Sequence, residues 1–305
     1  MRPLLLTTYG TCLKTRDHQL VLENQDSGER KAWLPSEFNY DSVIAENLGG
    51  FATFPALRWL AANGVSLTML DFDGRPAAAW LPDYPINARD RLAQMQAFAD
   101  PAARVRVARF ILEAKLGGPV PASYRTVPDL LAYEGREAAK AWAARGIVRD
   151  YPHARDPANA CLNYAYGLLE SRARVACHRA GLEPSLGFLH EWRAGKSSFV
   201  YDLMEPFRDG TTDTTLALRK ELRARDFGEV FGHGLKLRPE GAHRLVRAFA
   251  KDFDDRGMAE FTRRLVLQFS AAMRVVGGGL DHRSEGRGVR ERPHEPRGRI
   301  RAHAL

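Results

Sequence analysis

Within nineteen residues the chain brings together His190, the carboxylates of Asp202 and Glu205, and Arg208. Asp202 and Glu205 are three residues apart, so a helix puts them on one face, and Arg208 extends that face by another turn. Ser197 or Ser198 can cap the free N–H groups at the start of such a helix. Pro206 has no N–H for the carbonyl of Asp202, so it should kink the helix or leave that oxygen free. Histidine with carboxylates is a ligand set for a divalent cation. The imidazole shifts preference from calcium toward manganese or zinc, with magnesium accommodated when waters complete the shell. Spacing alone also describes a salt-bridged surface helix beside a loop histidine, which is the commoner arrangement.

The elements that must position these residues divide the chain. Residues 3–82 alternate short apolar runs with turn signals such as Tyr9-Gly10, Arg16-Asp17 and Gln25-Asp26-Ser27-Gly28, a pattern that predicts strands. One helix is expected over Phe54–Ala62, stopped by Asn63-Gly64, and a strong strand over Val65–Leu70. Asp71 and Asp73 read as turn formers there. Leu81-Pro82-Asp83-Tyr84-Pro85 reads as a linker. Helical periodicity then takes over, at 88–99, 102–116, 127–144, 159–180, 214–225, 239–256 and 258–275. The expected fold class is α+β, with a β-rich domain at 1–82 and a larger all-α catalytic domain at 83–276. Beyond Gly277 the residues are almost all Gly, Pro, Arg and other polar types, which predicts a disordered basic tail at 277–305.

Charge follows the same division. The chain has 305 residues and a formal net charge of +8. Residues 1–82 carry seven Lys/Arg against nine Asp/Glu, so the positive charge lies in the later part. That part is the one suited to a polyanion such as nucleic acid. Cys161 and Cys177 lie sixteen residues apart on one expected helix, roughly 24 Å and too far to bridge. With Cys12 they read as reduced, buried thiols of a cytoplasmic protein. The apolar run at Leu4-Leu5-Leu6 is too short for a signal peptide, and no run approaches a membrane span.

Three segments together resemble the CRISPR-associated adaptation integrase, the larger of the two proteins that insert new spacers into CRISPR arrays. They are Tyr133-Glu134-Gly135-Arg136, then Leu162-Asn163-Tyr164-Ala165-Tyr166-Gly167, and then Gly181-Leu182-Glu183-Pro184 with Gly187-Phe188-Leu189-His190 and Asp202-Leu203-Met204-Glu205. The third is the most specific, since its pieces fall in the family's order and spacing. A weaker likeness runs from about residue 4 to about residue 260 and excludes the tail.

The resemblance implies that Glu134, His190 and Glu205 are ligands of a Mn2+ or Mg2+ ion, with Asp202 a further acid beside it. The last ligand position is often Asp in the family, and here it is Glu205. The resemblance also implies the reaction. A 3′-hydroxyl of a short double-stranded DNA, the spacer precursor, attacks the backbone at the CRISPR repeat by transesterification, and the same site cuts DNA with water. It further implies a homodimer formed through the β domain, two such dimers being bridged by a dimer of a small partner adaptation protein, and no role for a membrane.

The residue types suit phosphoryl transfer on their own account. A cation held by carboxylates neutralises charge that develops around phosphorus. Arg208 can reach a phosphate oxygen or pair with Glu205. Candidate phosphate contacts are Arg104, Arg106, Arg109, Arg172, Arg174, Arg244 and Arg247. Asn163, Tyr164 and Tyr166 can line the site or pack the core, and His178, His233 and His243 are lesser candidates. The alternative within the same chemistry is a stand-alone structure-specific nuclease. A non-catalytic scaffold would have no need of Glu134, His190, Asp202 and Glu205 together.

Overall fold

The alternating N-terminal segments form two sheets in the computed structural model, which describes residues 3–276 apart from 7, 47–48, 72–73, 85–86 and 254. The strands are β1 (Pro3–Leu6), β2 (Thr11–Arg16), β3 (Gln19–Asn24), β4 (Arg30–Trp33), β5 (Ser42–Ala45), β6 (Phe51–Ala52), β7 (Ser66–Leu70) and β8 (Pro76–Trp80). One sheet has the order β1-β5-β7-β8 and the other β4-β3-β2-β6. Helix α1 (Phe54–Ala62) begins where the Thr53 hydroxyl accepts from Ala56 N–H, and it buries Ala56 and Leu60 against both sheets. Asp73 lies outside the described residues, as does everything from 277 to 305.

The helical part comprises α2 (Ala88–Ala99), α3 (Pro101–Leu116), α4 (Val127–Ala144), α5 (Pro157–Arg179), α6 (Ser198–Met204), α7 (Arg208–Arg219), α8 (Pro239–Asp252) and α9 (Asp255–Val276). Helix α5 is buried on nearly every side, from Asn159 to Cys177, and its buried polar residues Asn159 and Arg172 are hydrogen-bonded there. Cys12, Cys161 and Cys177 are free and buried. Burial pushes the Cys161 and Cys177 thiols up to about 12. No described helix is long and apolar enough to cross a membrane.

Two local departures from the sequence expectation have physical causes. Helix α7 starts at Arg208, six residues before the expected Thr214. Pro206 ends the α6 hydrogen-bond ladder, and a single 3-10 turn over Glu205–Phe207 follows. The Asp202 carbonyl that Pro206 cannot serve accepts instead from Glu205 N–H. The second departure is a hairpin inside the helical part, β9 (Phe227–Val230) paired antiparallel with β10 (Gly234–Leu237). Its loop uses Gly232 and Gly234 at φ of +73° and +72°, a conformation that glycine adopts without steric cost.

The chain passes from strand to helix between Trp80 and Ala88, yet the β1-β5-β7-β8 sheet sits directly on α5. Ile44 and Leu70 belong to the helical core. A Cβ on Gly167 would lie 2.0 Å from the Gly74 carbonyl oxygen, so the β7–β8 turn approaches the helix as closely as backbone can. Arg172 on α5 is buried and donates to Ser42 Oγ and to Asp41.

Glu46 lies in this junction, 7% exposed. Its Oε1 finds no hydrogen-bond partner among the described residues. Burial, opposed by the Tyr164 hydroxyl, pushes its carboxyl up to about 7. The folded state therefore binds more protons than the unfolded chain between about pH 4.5 and about pH 7. Stability contributed here falls as pH rises through that window, by up to about 3 kcal/mol. Glu46→Gln should melt several degrees above the wild type at pH 8 and together with it at pH 5. Parallel melting curves at the two pH values would rule out a buried carboxyl titrating in this window.

Candidate active site

The site begins with a buried carboxylate. Asp202 on α6 has no solvent exposure. Its Oδ2 accepts from the backbone N–H of Phe188 at 2.5 Å and of Leu189 at 3.2 Å, and its Oδ1 accepts from His190 N–H at 3.0 Å. The turn ending at His190 is thus tied to α6, and Phe188 clamps it by stacking on Phe269 of α9 at 5.0 Å. Gly187 is required here, because a Cβ would meet the His190 carbonyl at 2.5 Å.

The same carboxylate orients the imidazole. His190 Nδ1 lies 2.7 Å from Asp202 Oδ1, so Nδ1 carries the proton and Nε2 faces the other way. Nε2 stands 3.6 Å from Glu205 Oε1. Burial works against a charged ring, but Asp202 and Glu205 outweigh it and hold the His190 pKa above the ordinary value.

Glu205 occupies the 3-10 turn and is almost wholly buried. Arg208 Nε donates to its Oε1 at 2.6 Å. Lys115, in the last turn of α3, donates to its Oε2 at 2.7 Å and also to Glu134 Oε1 on α4. Burial raises the Glu205 pKa, and Arg208, Lys115 and His190 together overcome that and hold it at about 2. Burial likewise opposes a charged Lys115, yet the two glutamates hold its pKa above the ordinary value.

Glu134, His190 and Glu205, expected as ligands, thus come from α4, a loop and the 3-10 turn into one cleft of about 880 Å³. Among the described residues no three His, Cys, Asp or Glu side chains are drawn together into a ready metal cluster. The ammonium of Lys115 lies between the two glutamates instead. Two oxygens and one ring nitrogen at the wall of a cationic cleft are still a donor set suited to manganese or magnesium. Asp202, expected as a further catalytic acid beside the ion, is fully buried and is not among the residues that line the cleft. Four hydrogen bonds turn it away from the cleft, and it acts by holding His190 and its turn. Arg208 lines the cleft, paired to Glu205 and lying 5.3 Å over the Tyr166 ring.

The other candidates separate in the same way. Arg109 donates to the carbonyls of Val120, Pro121 and Tyr124 and holds that loop. Arg172 spans the two parts of the chain, and Arg174 pairs with Glu170. Arg106, Arg244 and Arg247 are exposed, and Arg104 lies over Phe98. Asn163 accepts from Arg149 and donates to the carbonyls of Asp150 and Pro152. Tyr164 points to Glu46, and Tyr166 contacts Thr212. Among the described residues His190 is the one histidine lining the cleft.

Lys115 and Arg149 were not singled out in the sequence. Lys115 reads there as an ordinary cation at a helix C-terminus, before Gly117. Arg149 is held by Asn159 and Asn163 between the rings of Trp142 and Tyr166. Lys140, Arg145, Lys196 and Lys236 extend the cationic lining.

Comparison with known proteins bears on this arrangement. The family profile described as CRISPR associated protein Cas1 matches residues 4–120 and 122–251. A CRISPR-associated endonuclease Cas1 of Thermus thermophilus is 31% identical over 276 residues, covering 81% of this chain and 85% of that protein. A second, from Pyrobaculum aerophilum, is 26% identical and covers 83% of this chain and 92% of its own. Among solved structures, a casposase bound to its integration product superposes with a TM-score of 0.75 at 24% identity, over 88% of this chain and 91% of that one. A Cas1 protein from Thermotoga maritima gives a TM-score of 0.72 at 17% identity, over 93% and 100% of the two chains.

Proposed function

Because the chain belongs to the CRISPR-associated Cas1 family, we propose that it is a DNA integrase and endonuclease that joins short DNA fragments to a CRISPR array. The observation that carries this reading is the convergence of Glu134, His190 and Glu205 on one cationic cleft. Glu134, Glu205 and the Nε2 of His190 would hold a Mn2+ or Mg2+ ion. Such an ion neutralises charge on a phosphodiester under attack. The remaining work falls to the chain's own groups. Asp202 keeps the proton on Nδ1, which leaves Nε2 free as a donor of electrons. Arg149, Lys140 and Arg145 line the path of a DNA backbone and position it through phosphate contacts. In the joining step the 3′-hydroxyl oxygen forms a bond to phosphorus and gives its proton to solvent, while the bond to the target's own 3′ oxygen breaks and that oxygen takes up a proton from solvent to leave as a hydroxyl.

The acidic strand-rich part suits a homodimer contact better than a DNA contact, since it carries a net negative charge. Solved relatives include a Cas1–DNA complex and a complex of Cas1 with Cas2, and both kinds of partner fit this reading.

The test is strand transfer of a labelled duplex with free 3′-hydroxyls into a supercoiled CRISPR plasmid, with Mn2+ and the small partner protein. Wild type should join the duplex covalently, and Glu134→Ala and His190→Ala should lose joining while keeping most of their DNA affinity. Near-normal joining by either variant would show the site to be misassigned. Nicking without joining, lost in both variants, would point to a nuclease that does not integrate.

A further inference from the structure

We propose that Lys115 is a resident counter-cation of the metal site, which a divalent ion must displace before the site can work. The proposal rests on the metal reading given above and goes beyond it by assigning what competes for the ligands.

The Lys115 side chain is 7% exposed, and its ammonium touches Glu134 Oε1 and Glu205 Oε2 together. These are two of the three side chains that would hold the ion. A lysine ammonium bridging two carboxylates occupies one oxygen of each. An ion held by Glu134 and Glu205 would compete with the ammonium for the same oxygens. Two cations cannot share that position in a buried pocket, where their repulsion is poorly screened. Binding therefore exchanges one cation for the other.

The exchange is feasible in this fold. Lys115 lies in the last turn of α3, and its flexible stem lines the open cleft. Once released, the ammonium faces the volume where a DNA phosphate would lie. Glu205 retains Arg208 as a partner throughout. The ammonium in this way offsets the charge of the two glutamates, and metal loading frees that positive charge for the substrate.

The full-length protein is titrated with Mn2+ and free Mn2+ is read by EPR, without DNA. Lys115→Met should bind Mn2+ at least about tenfold more tightly than wild type. If Lys115 instead only positions the glutamates, its loss lets them repel each other, and binding by Lys115→Met becomes weaker. Weaker or unchanged affinity overturns the proposal. Lys115→Gln repeats the measurement if the methionine variant does not fold. The wild type supplies an independent readout. Acetylation of Lys115 by an amine-reactive ester, followed by mass spectrometry, should be several-fold faster in saturating Mn2+ than in EDTA. An equal or slower rate with Mn2+ bound overturns the exchange. Absence of any Mn2+ binding by wild type at this site, the same as in Glu134→Gln, would overturn the metal reading and the exchange together.

Discussion

Glu205→Ala should abolish strand transfer and also cost about 1–3 kcal/mol of stability, because it removes the carboxylate that pairs with Arg208 and Lys115. Arg208 would lose its carboxylate partner and Lys115 would keep only Glu134. Such a loss is a large share of an ordinary folding free energy. Glu205→Gln separates the two effects, since it fills the same volume and accepts a hydrogen bond but carries no charge. It should be as inactive as the alanine variant and lose less stability.

The pH dependence gives a second readout of the same residue. The folded pKa of Glu205 is depressed to about 2 from an ordinary 4.5. Its contribution is therefore fully present above about pH 4.5 and is lost as pH falls toward 2. Acid titration of folded wild type should show this loss, and Glu205→Gln should lack it. If the wild-type and glutamine proteins lose stability in parallel between pH 5 and pH 2, Glu205 is not held ionised by its neighbours.

Asp202→Asn should leave the chain folded and lower strand transfer on the order of a hundredfold. Every donor around Asp202 needs an acceptor, and asparagine supplies one oxygen in place of two. With its NH2 group placed at Oδ1, it faces Nδ1 of His190. That nitrogen must then accept, the proton moves to Nε2, and Nε2 can no longer bind a cation. With its NH2 at Oδ2, it faces the N–H groups of Phe188 and Leu189, and the turn that carries His190 loosens. Nitrogen NMR of the His190 ring distinguishes these cases, and circular dichroism checks the fold. Transfer within threefold of wild type, with Nδ1 still protonated, would show that Asp202 does not position His190.

Much of the scaffold was legible because local rules decide it. Periodicity and caps placed α2 and α4 at the observed 88–99 and 127–144. Thr126 with Asp129 forms a reciprocal capping box that needs nothing from the rest of the fold. The hairpin β9–β10 was not legible, since four-residue strands are shorter than any reliable alternation and their partner is each other. The early start of α7 depends on how the chain recovers after Pro206.

The site divides along the same line. Residue types and spacing pointed to His190, Asp202 and Glu205 because chemistry restricts which side chains can hold a cation near phosphate, and the family resemblance added Glu134. Their separate roles were decided in three dimensions. Asp202 and Glu205 are three residues apart on one expected helical face, yet one is sealed beneath the His190 turn and the other faces the cleft. The 3-10 turn at Glu205 rotates the chain between them. Lys115 is ninety residues from Glu205, and only the packing of α3 against that turn brings the two together. Local sequence limits which groups are available and where most helices run. Tertiary structure decided which carboxylate is buried with donors and which with cations, because hydrogen bonding and desolvation depend on neighbours that no local pattern names.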